Sequence, residues 1–202
     1  MIPTLEQIIE KSGTHPLRVK GCYIFGSRVY GNFKNESDWD IKLIANGTVS
    51  NLELRRGSYN IHVITPQDFI QQLKEHKPGS VECVLAPDKF RIVDGDFKFN
   101  LNIPSLRHSF SHTSSNSWVK AKKKVNKGDY AVGIKSLFHS LRIPMFGIQI
   151  AEHGEIVDWG VANDIHTELW SRYDWTWEEL DETFRERKNN ILTQFRNVTS
   201  KV

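Results

Sequence analysis

Two aspartates with a single residue between them, Asp38 and Asp40, open the alternating segment DWDIKLIA at positions 38–45. On an extended chain residues two apart point to one side, so the two carboxylates converge while Trp39 and Ile41 face a core. Convergent carboxylates make a hard oxygen site for Mg²⁺ or Mn²⁺, ions that bind through carboxylates together with substrate phosphates. A pair of such ions clamps the attacking and leaving oxygens of an in-line displacement at phosphorus. Gly26 and Ser27 supply the complementary half. Glycine lets the backbone approach a ligand closely, and a serine hydroxyl with the amides of a helix start can grip phosphate oxygens. Gly31 would turn the chain back toward the carboxylates. Lys42 shares their face and could neutralise one of them or touch phosphate, with a plain ion pair as the alternative. Arg28, beside Ser27, either faces phosphate or is simply solvated.

The elements that must position these residues follow from patterning. Thr4, with Gln7 three residues on, caps a short first helix that Gly13 and Pro16 end. Residues 19–25 (VKGCYIF) read as a buried strand running into Gly26. A helical turn from Ser27, a polar loop over 32–37 and a second strand over 38–45 come next, closed by Asn46-Gly47. Residues 59–64 (YNIHVI) make a third strand. Thr65-Pro66 starts a helix presenting Phe69, Ile70 and Leu73 on one face. Strand-like material, including VECVLA at 81–86, continues to about residue 93. Beyond about residue 105 the pattern turns helical. Pro144 is expected to end or kink a helix over 129–143, and Thr176 with Glu179 caps a last helix whose Leu180, Phe184, Ile191 and Phe195 line one face. The expected architecture is α+β: a mixed-sheet lobe over residues 1–100 followed by a helical lobe over 101–202.

Taken singly, a Gly-Ser is usually a loop and an Asp-x-Asp a solvated edge. Their order is the informative feature: strand, Gly-Ser, short helix, Gly, loop, Ser-Asp-x-Asp, strand. GSRVYG followed by SDWD resembles the signature of the DNA polymerase β-like nucleotidyltransferases, and the rest looks like a bacterial and phage branch of that superfamily. TPQDFIQQLKEHKPGSVECVLAP resembles its following helix and strand, with Glu82 in a glutamate position. KSLFHSLRI (135–143) resembles its basic helix, through His139 and Arg142. The resemblance implies that Asp38 and Asp40 hold metal, and that Gly26 and Ser27 hold the triphosphate of an NTP. Members of the superfamily add a third carboxylate from a neighbouring strand. Here that strand is YNIHVI, and the matching position is Asn60 or His62 according to register. Three readings stay open: His62 serves as ligand or base, Glu82 or another carboxylate swings in, or the second metal site is impaired and activity is low.

The chain has 202 residues, with 39% hydrophobic and 25% charged, as in an ordinary globular protein. No run of about 18 apolar residues suggests a membrane span. Residues 1–25 carry Glu6, Glu10 and Lys11 and do not read as a signal peptide, so a cytoplasmic protein is expected. Cys22 and Cys83 lie in apolar stretches and read as buried thiols. The net charge of +3 is too small to show nucleic-acid binding by itself. Lysine is nonetheless concentrated at 119–128 (VKAKKKVNKG), and the resemblance makes Lys124 and Lys135 candidates for the triphosphate. Residues 109–117 (SFSHTSSNS) could contact base or sugar, or form a loop between lobes. Trp170, Trp175 and Trp177 are expected to pack the last helix. The expected function is transfer of NMP from an NTP to a hydroxyl, with an RNA or tRNA 3′ end favoured by the lysines. A protein side chain, as in an AMPylating toxin–antitoxin pair, and a small molecule are also open acceptors. The alternative is a nucleotide- or RNA-binding module that has lost catalysis.

Overall fold

The computed structural model describes residues 1–48 and 51–200. The chain divides into two compact units, Met1–Asn100 and Leu101–Val202.

In the first unit, α1 (Leu5–Ser12) is closed by a capping box between Thr4 and Gln7 and ends at Gly13 in the left-handed region. The strands β1 (Val19–Phe25), β2 (Trp39–Ala45), β3 (Leu52–Arg56), β4 (Tyr59–Ile64) and β5 (Arg91–Val93) form a mixed sheet in the order β3-β4-β2-β1-β5. Between β1 and β2 lies α2 (Ser27–Tyr30), and α3 (Pro66–Lys74) and α4 (Pro78–Leu85) follow β4. β1 runs antiparallel to β2, and β2 runs parallel to β4. Alternation gives the sheet two different faces. Ile41, Leu43, Ile61 and Val63 are buried on one, while Asp40, Lys42, Asn60 and His62 stand half-buried on the other. At the far end of that second face Tyr23, Ile44 and Ile64 pack with Phe69, Leu73 and Cys83 from α3 and α4. The polar residues are thus left at one end of an otherwise apolar surface.

Several elements differ from their sequence expectation. VECVLA is helical rather than extended: Pro78 sits in the first turn of α4, and Val81, Glu82 and Cys83 are all buried. A short apolar run suits a buried helix as well as a strand, and here the proline start decides. β3 carries no strand pattern in the sequence because LELRR is charged and largely exposed, as suits an edge strand. Ile70, expected on the apolar face of α3, is 42% exposed. Both cysteines are free and buried, and burial pushes each thiol up to about 12.

The second unit comprises α5 (Ile103–Val125), α6 (Tyr130–His153), α7 (Asn163–Trp170) and α8 (Trp177–Val198). Residues 109–117 lie inside α5, not in a loop. Buried Ser114 donates to the Ser140 carbonyl on α6 at 2.6 Å, so hydroxyls that look solvated in sequence serve helix packing. α6 continues past Pro144 as far as His153, because both sides of the proline are buried. A proline in a helix interior forfeits about 3 kcal/mol, which packing of a long apolar helix can offset. Trp177 is buried edge-to-face on Trp118 at 5.3 Å and seats α8, which starts with the expected Thr176–Glu179 capping box. Among the described residues no helix is long and apolar enough to cross a membrane.

Within α6, Arg142 Nη2 approaches His139 Nδ1 at 3.4 Å, so the imidazole accepts as a neutral ring. Burial first, then the charges of Arg142, Lys135 and Lys120, push His139 down to about 3. A depressed histidine contributes stability that is complete above its unfolded value near 6.5 and is lost as pH falls toward 3. Thermal melts between pH 7 and pH 4 should therefore show falling stability, with a shallower fall in His139→Gln. Equal slopes for the two proteins would remove His139 as the cause.

Candidate active site

β1 delivers the chain to Gly26, whose φ of 79° and ψ of −157° lie where only glycine is comfortable. The Gly26 carbonyl accepts from the Val29 and Tyr30 amides at 2.9 and 3.2 Å, which fixes the turn of α2. Gly31, at φ 81°, closes it with its amide on the Ser27 carbonyl at 3.0 Å. A turn this short leaves its first amides, those of Ser27 and Arg28, without acceptors inside the helix. The Ser27 hydroxyl is half-buried beside them.

Asp40 comes to the same turn from β2, where it pairs with Phe25. A Cβ placed on Gly26 would lie 2.4 Å from Asp40 Oδ2. The absent side chain at position 26 is the space into which the carboxylate fits. Asp38 lies one residue before β2 and is exposed. On the neighbouring strand Asp40 pairs with Asn60, and Lys42 with His62. Asn60 Nδ2 donates to Asp40 Oδ1 at 2.9 Å. The register thus settles which residue stands beside the carboxylates. It is Asn60, with His62 one row further along.

The remaining candidates have definite partners. The Lys42 ammonium donates to buried Ser80 on α4 at 3.1 Å, and Ser80 donates onward to Gln72 at 2.6 Å. Neither partner could have been read from sequence, since 38 residues separate Lys42 from Ser80. The Arg28 guanidinium lies 4.0 Å over Trp39 and 5.0 Å from the Phe33 ring, and donates to the Ser37 carbonyl. It braces the loop that leads into the aspartates. Glu82 is buried on α4 and accepts from the Tyr30 hydroxyl at 2.5 Å, tying the α2 turn to α4. His62 lies edge-on to Phe25 at 5.8 Å. Burial holds its imidazole below the ordinary range and Lys42 pushes the same way, while Glu53 and Asp40 oppose, so the ring favours its neutral form. Lys124 and Lys135 belong to the second unit. Lys124 is held by Asp129 at 2.7 Å, and Lys135 is exposed on α6.

In chemical type Asp38 and Asp40 are the hard oxygen donors that Mg²⁺ or Mn²⁺ takes together with substrate phosphates. A second cation wants a further carboxylate, and among the described residues no cluster of three or more metal-ligating side chains forms.

Residues 6–89 match the family model of the polymerase β nucleotidyltransferases. No curated protein matches the chain. A solved structure, a nucleotidyltransferase-like protein from Exiguobacterium sibiricum 255-15, is 15% identical, with 96% of this chain and 73% of that one covered and a TM-score of 0.34.

Gly26→Ala should lower stability by about 1–3 kcal/mol through backbone strain and displace Asp40. Gly57→Ala is the control: its φ is also positive, at 58°, but its Cβ would meet nothing within 4 Å. Thermal melting should show the larger loss at position 26, and Mn²⁺–nucleotide affinity should fall at least about tenfold there alone. Equal effects at both glycines would mean that the Asp40 contact is unimportant.

Proposed function

Taking the first unit as a member of the polymerase β-like nucleotidyltransferase superfamily, we propose that the protein transfers NMP from an NTP to a hydroxyl acceptor, with release of pyrophosphate. The observation that carries this reading is the seating of Asp40 in the space beside Gly26, which brings a carboxylate to the turn of α2.

In this reading the Ser27 hydroxyl and the amides of Ser27 and Arg28 hold the triphosphate, and Gly26 allows its close approach. Asp38 and Asp40 hold Mg²⁺ or Mn²⁺, which when bound neutralises phosphate charge and polarises the reacting phosphoryl group. Asn60 keeps Asp40 oriented through its amide, and Arg28 keeps the loop before Asp38 in place by stacking on Trp39. Lys42, anchored by Ser80, contributes positive charge from beneath the carboxylates. Positioning and charge neutralisation supply most of the rate in such chemistry.

For the acceptor, we favour an RNA 3′ end. Lys120, Lys122, Lys123 and Lys127 are exposed at and beyond the end of α5, where several phosphates could be met at once. The same lysines also complement the negative end of the helix. A second reading, a nucleotide- or RNA-binding module without turnover, is favoured by one observation: an amide, Asn60, stands beside Asp40.

Incubation with each α-³²P-labelled NTP, Mg²⁺ or Mn²⁺, and total tRNA or cell lysate separates the two. Label transfer should appear and fall by about 10²–10³-fold or more in Asp38→Ala/Asp40→Ala. Labelled tRNA would identify an RNA acceptor, and labelled polypeptide would replace RNA with a protein. Nucleotide binding with no transfer from any NTP would establish the binding module instead.

A further inference from the structure

The row of side chains running across the sheet beside Asp40 is set by pairing. Asp40 on β2 faces Asn60 on β4, and Asn60 faces Arg55 on β3. The next row is Lys42, His62 and Glu53. Two-cation chemistry wants a third anionic oxygen close to the first two, and each place from which it could come has another occupant or another duty. Asn60 supplies an uncharged amide whose Nδ2 points at Asp40 Oδ1, 2.9 Å away, and also lies 3.4 Å from His62 Nε2. A donor N–H carries partial positive charge, so it opposes a cation on that side of Asp40. Glu53 stands a row away on the exposed edge strand and pairs with Arg55 at 3.3 Å. Glu82 is buried on α4 under the Tyr30 hydroxyl. Arg55 ends the Asp40 row with a positive charge rather than a negative one.

On the other side of Asp40 the surroundings reverse. Oδ2 lies toward Gly26, where the turn offers backbone amides and the Ser27 hydroxyl to phosphate oxygens, and the open Asp38 carboxylate lies two residues back along the strand. The Asn60 amide thus engages Asp40 Oδ1, and Oδ2 lies on the Gly26 side of the carboxylate.

Building on nucleotidyl transfer as the reading of this site, we infer that it holds a single divalent cation, the one carried with the nucleotide, and that Asn60 takes the place of a second. Asn60 is then a positioning residue: it fixes Asp40 by a hydrogen bond where a two-cation site would use a shared ion. Its own Oδ1 is buried without a hydrogen-bond partner among the described residues. A neutral carbonyl in that position gives a hard cation much weaker anchorage than a carboxylate. The activating ion for the acceptor hydroxyl is thereby absent by construction, and a carboxylate at position 60 should restore its seat.

Electron paramagnetic resonance of Mn²⁺ tests this on the full chain with a saturating non-hydrolysable α,β-methylene NTP. Two Mn²⁺ about 3.5–4 Å apart give an exchange-coupled spectrum, whereas one gives an isolated-ion spectrum. Wild type should stay at the isolated-ion spectrum as Mn²⁺ is raised, and Asn60→Asp should develop the coupled spectrum. A coupled spectrum in wild type overturns the proposal, as does an Asn60→Asp protein that melts like wild type yet remains at one ion. The wild-type spectrum decides even where the variant does not fold. Protein-bound Mn²⁺ missing from wild type, or unchanged in Asp38→Ala/Asp40→Ala, would instead overturn the nucleotidyl-transfer reading itself.

Discussion

One carboxylate in a space made by a missing side chain organises the whole first unit. A Cβ on Gly26 would lie 2.4 Å from Asp40 Oδ2, so the end of β1 and the start of β2 close on each other with the carboxylate in the room that glycine leaves. The same glycine adopts a φ of 79° as the chain enters α2. Sterics and backbone conformation make the same demand at one residue, and this coincidence brings the α2 turn and the Asp40 carboxylate together.

The rest of the unit holds that corner steady. Buried Glu82 and Tyr30 tie α2 to α4, and a hydrogen-bonded buried carboxylate is costly to disturb. Tyr23, Ile44 and Ile64 fill the far end of the active face against α3 and α4, leaving the polar end uncovered by them. Lys42 lies at the transition, with its ammonium 5.6 Å from the Phe25 ring and 6.0 Å from the Phe69 ring while it donates to Ser80. Arg28, between Trp39 and Phe33, steadies the polar loop through which Asp38 is reached.

Much of this was legible in sequence, because the residues concerned are local and chemically distinctive. Gly26, Ser27, Gly31 and the Asp38–Asp40 pair could be placed on strand, turn and strand from spacing alone, and the Thr4 and Thr176 caps fixed two helix starts. Elements whose identity depends on partners were not legible. VECVLA looks extended until α4 is seen to bury Glu82 against a tyrosine 52 residues away. β3 has no apolar alternation because only one neighbour covers it. The serines of 109–117 look like a loop until Ser114 is paired with α6. Period-two alternation puts Asn60 and His62 on one face without saying which stands beside Asp40. Only the pairing of β2 with β4 decides, and with it the charge of the site.

The central claim is that nucleotide and a divalent cation meet at the Gly26–Ser27 turn beside Asp40. The most direct measurement is paramagnetic broadening of backbone amide signals in the ¹⁵N-labelled chain, as Mn²⁺ is added with a non-hydrolysable NTP. The account predicts that Gly26, Ser27, Asp38 and Asp40 broaden first, while signals of the Asn46-Gly47 turn, beyond the opposite end of β2, persist longest. Uniform broadening, or broadening centred elsewhere in the chain, would contradict it.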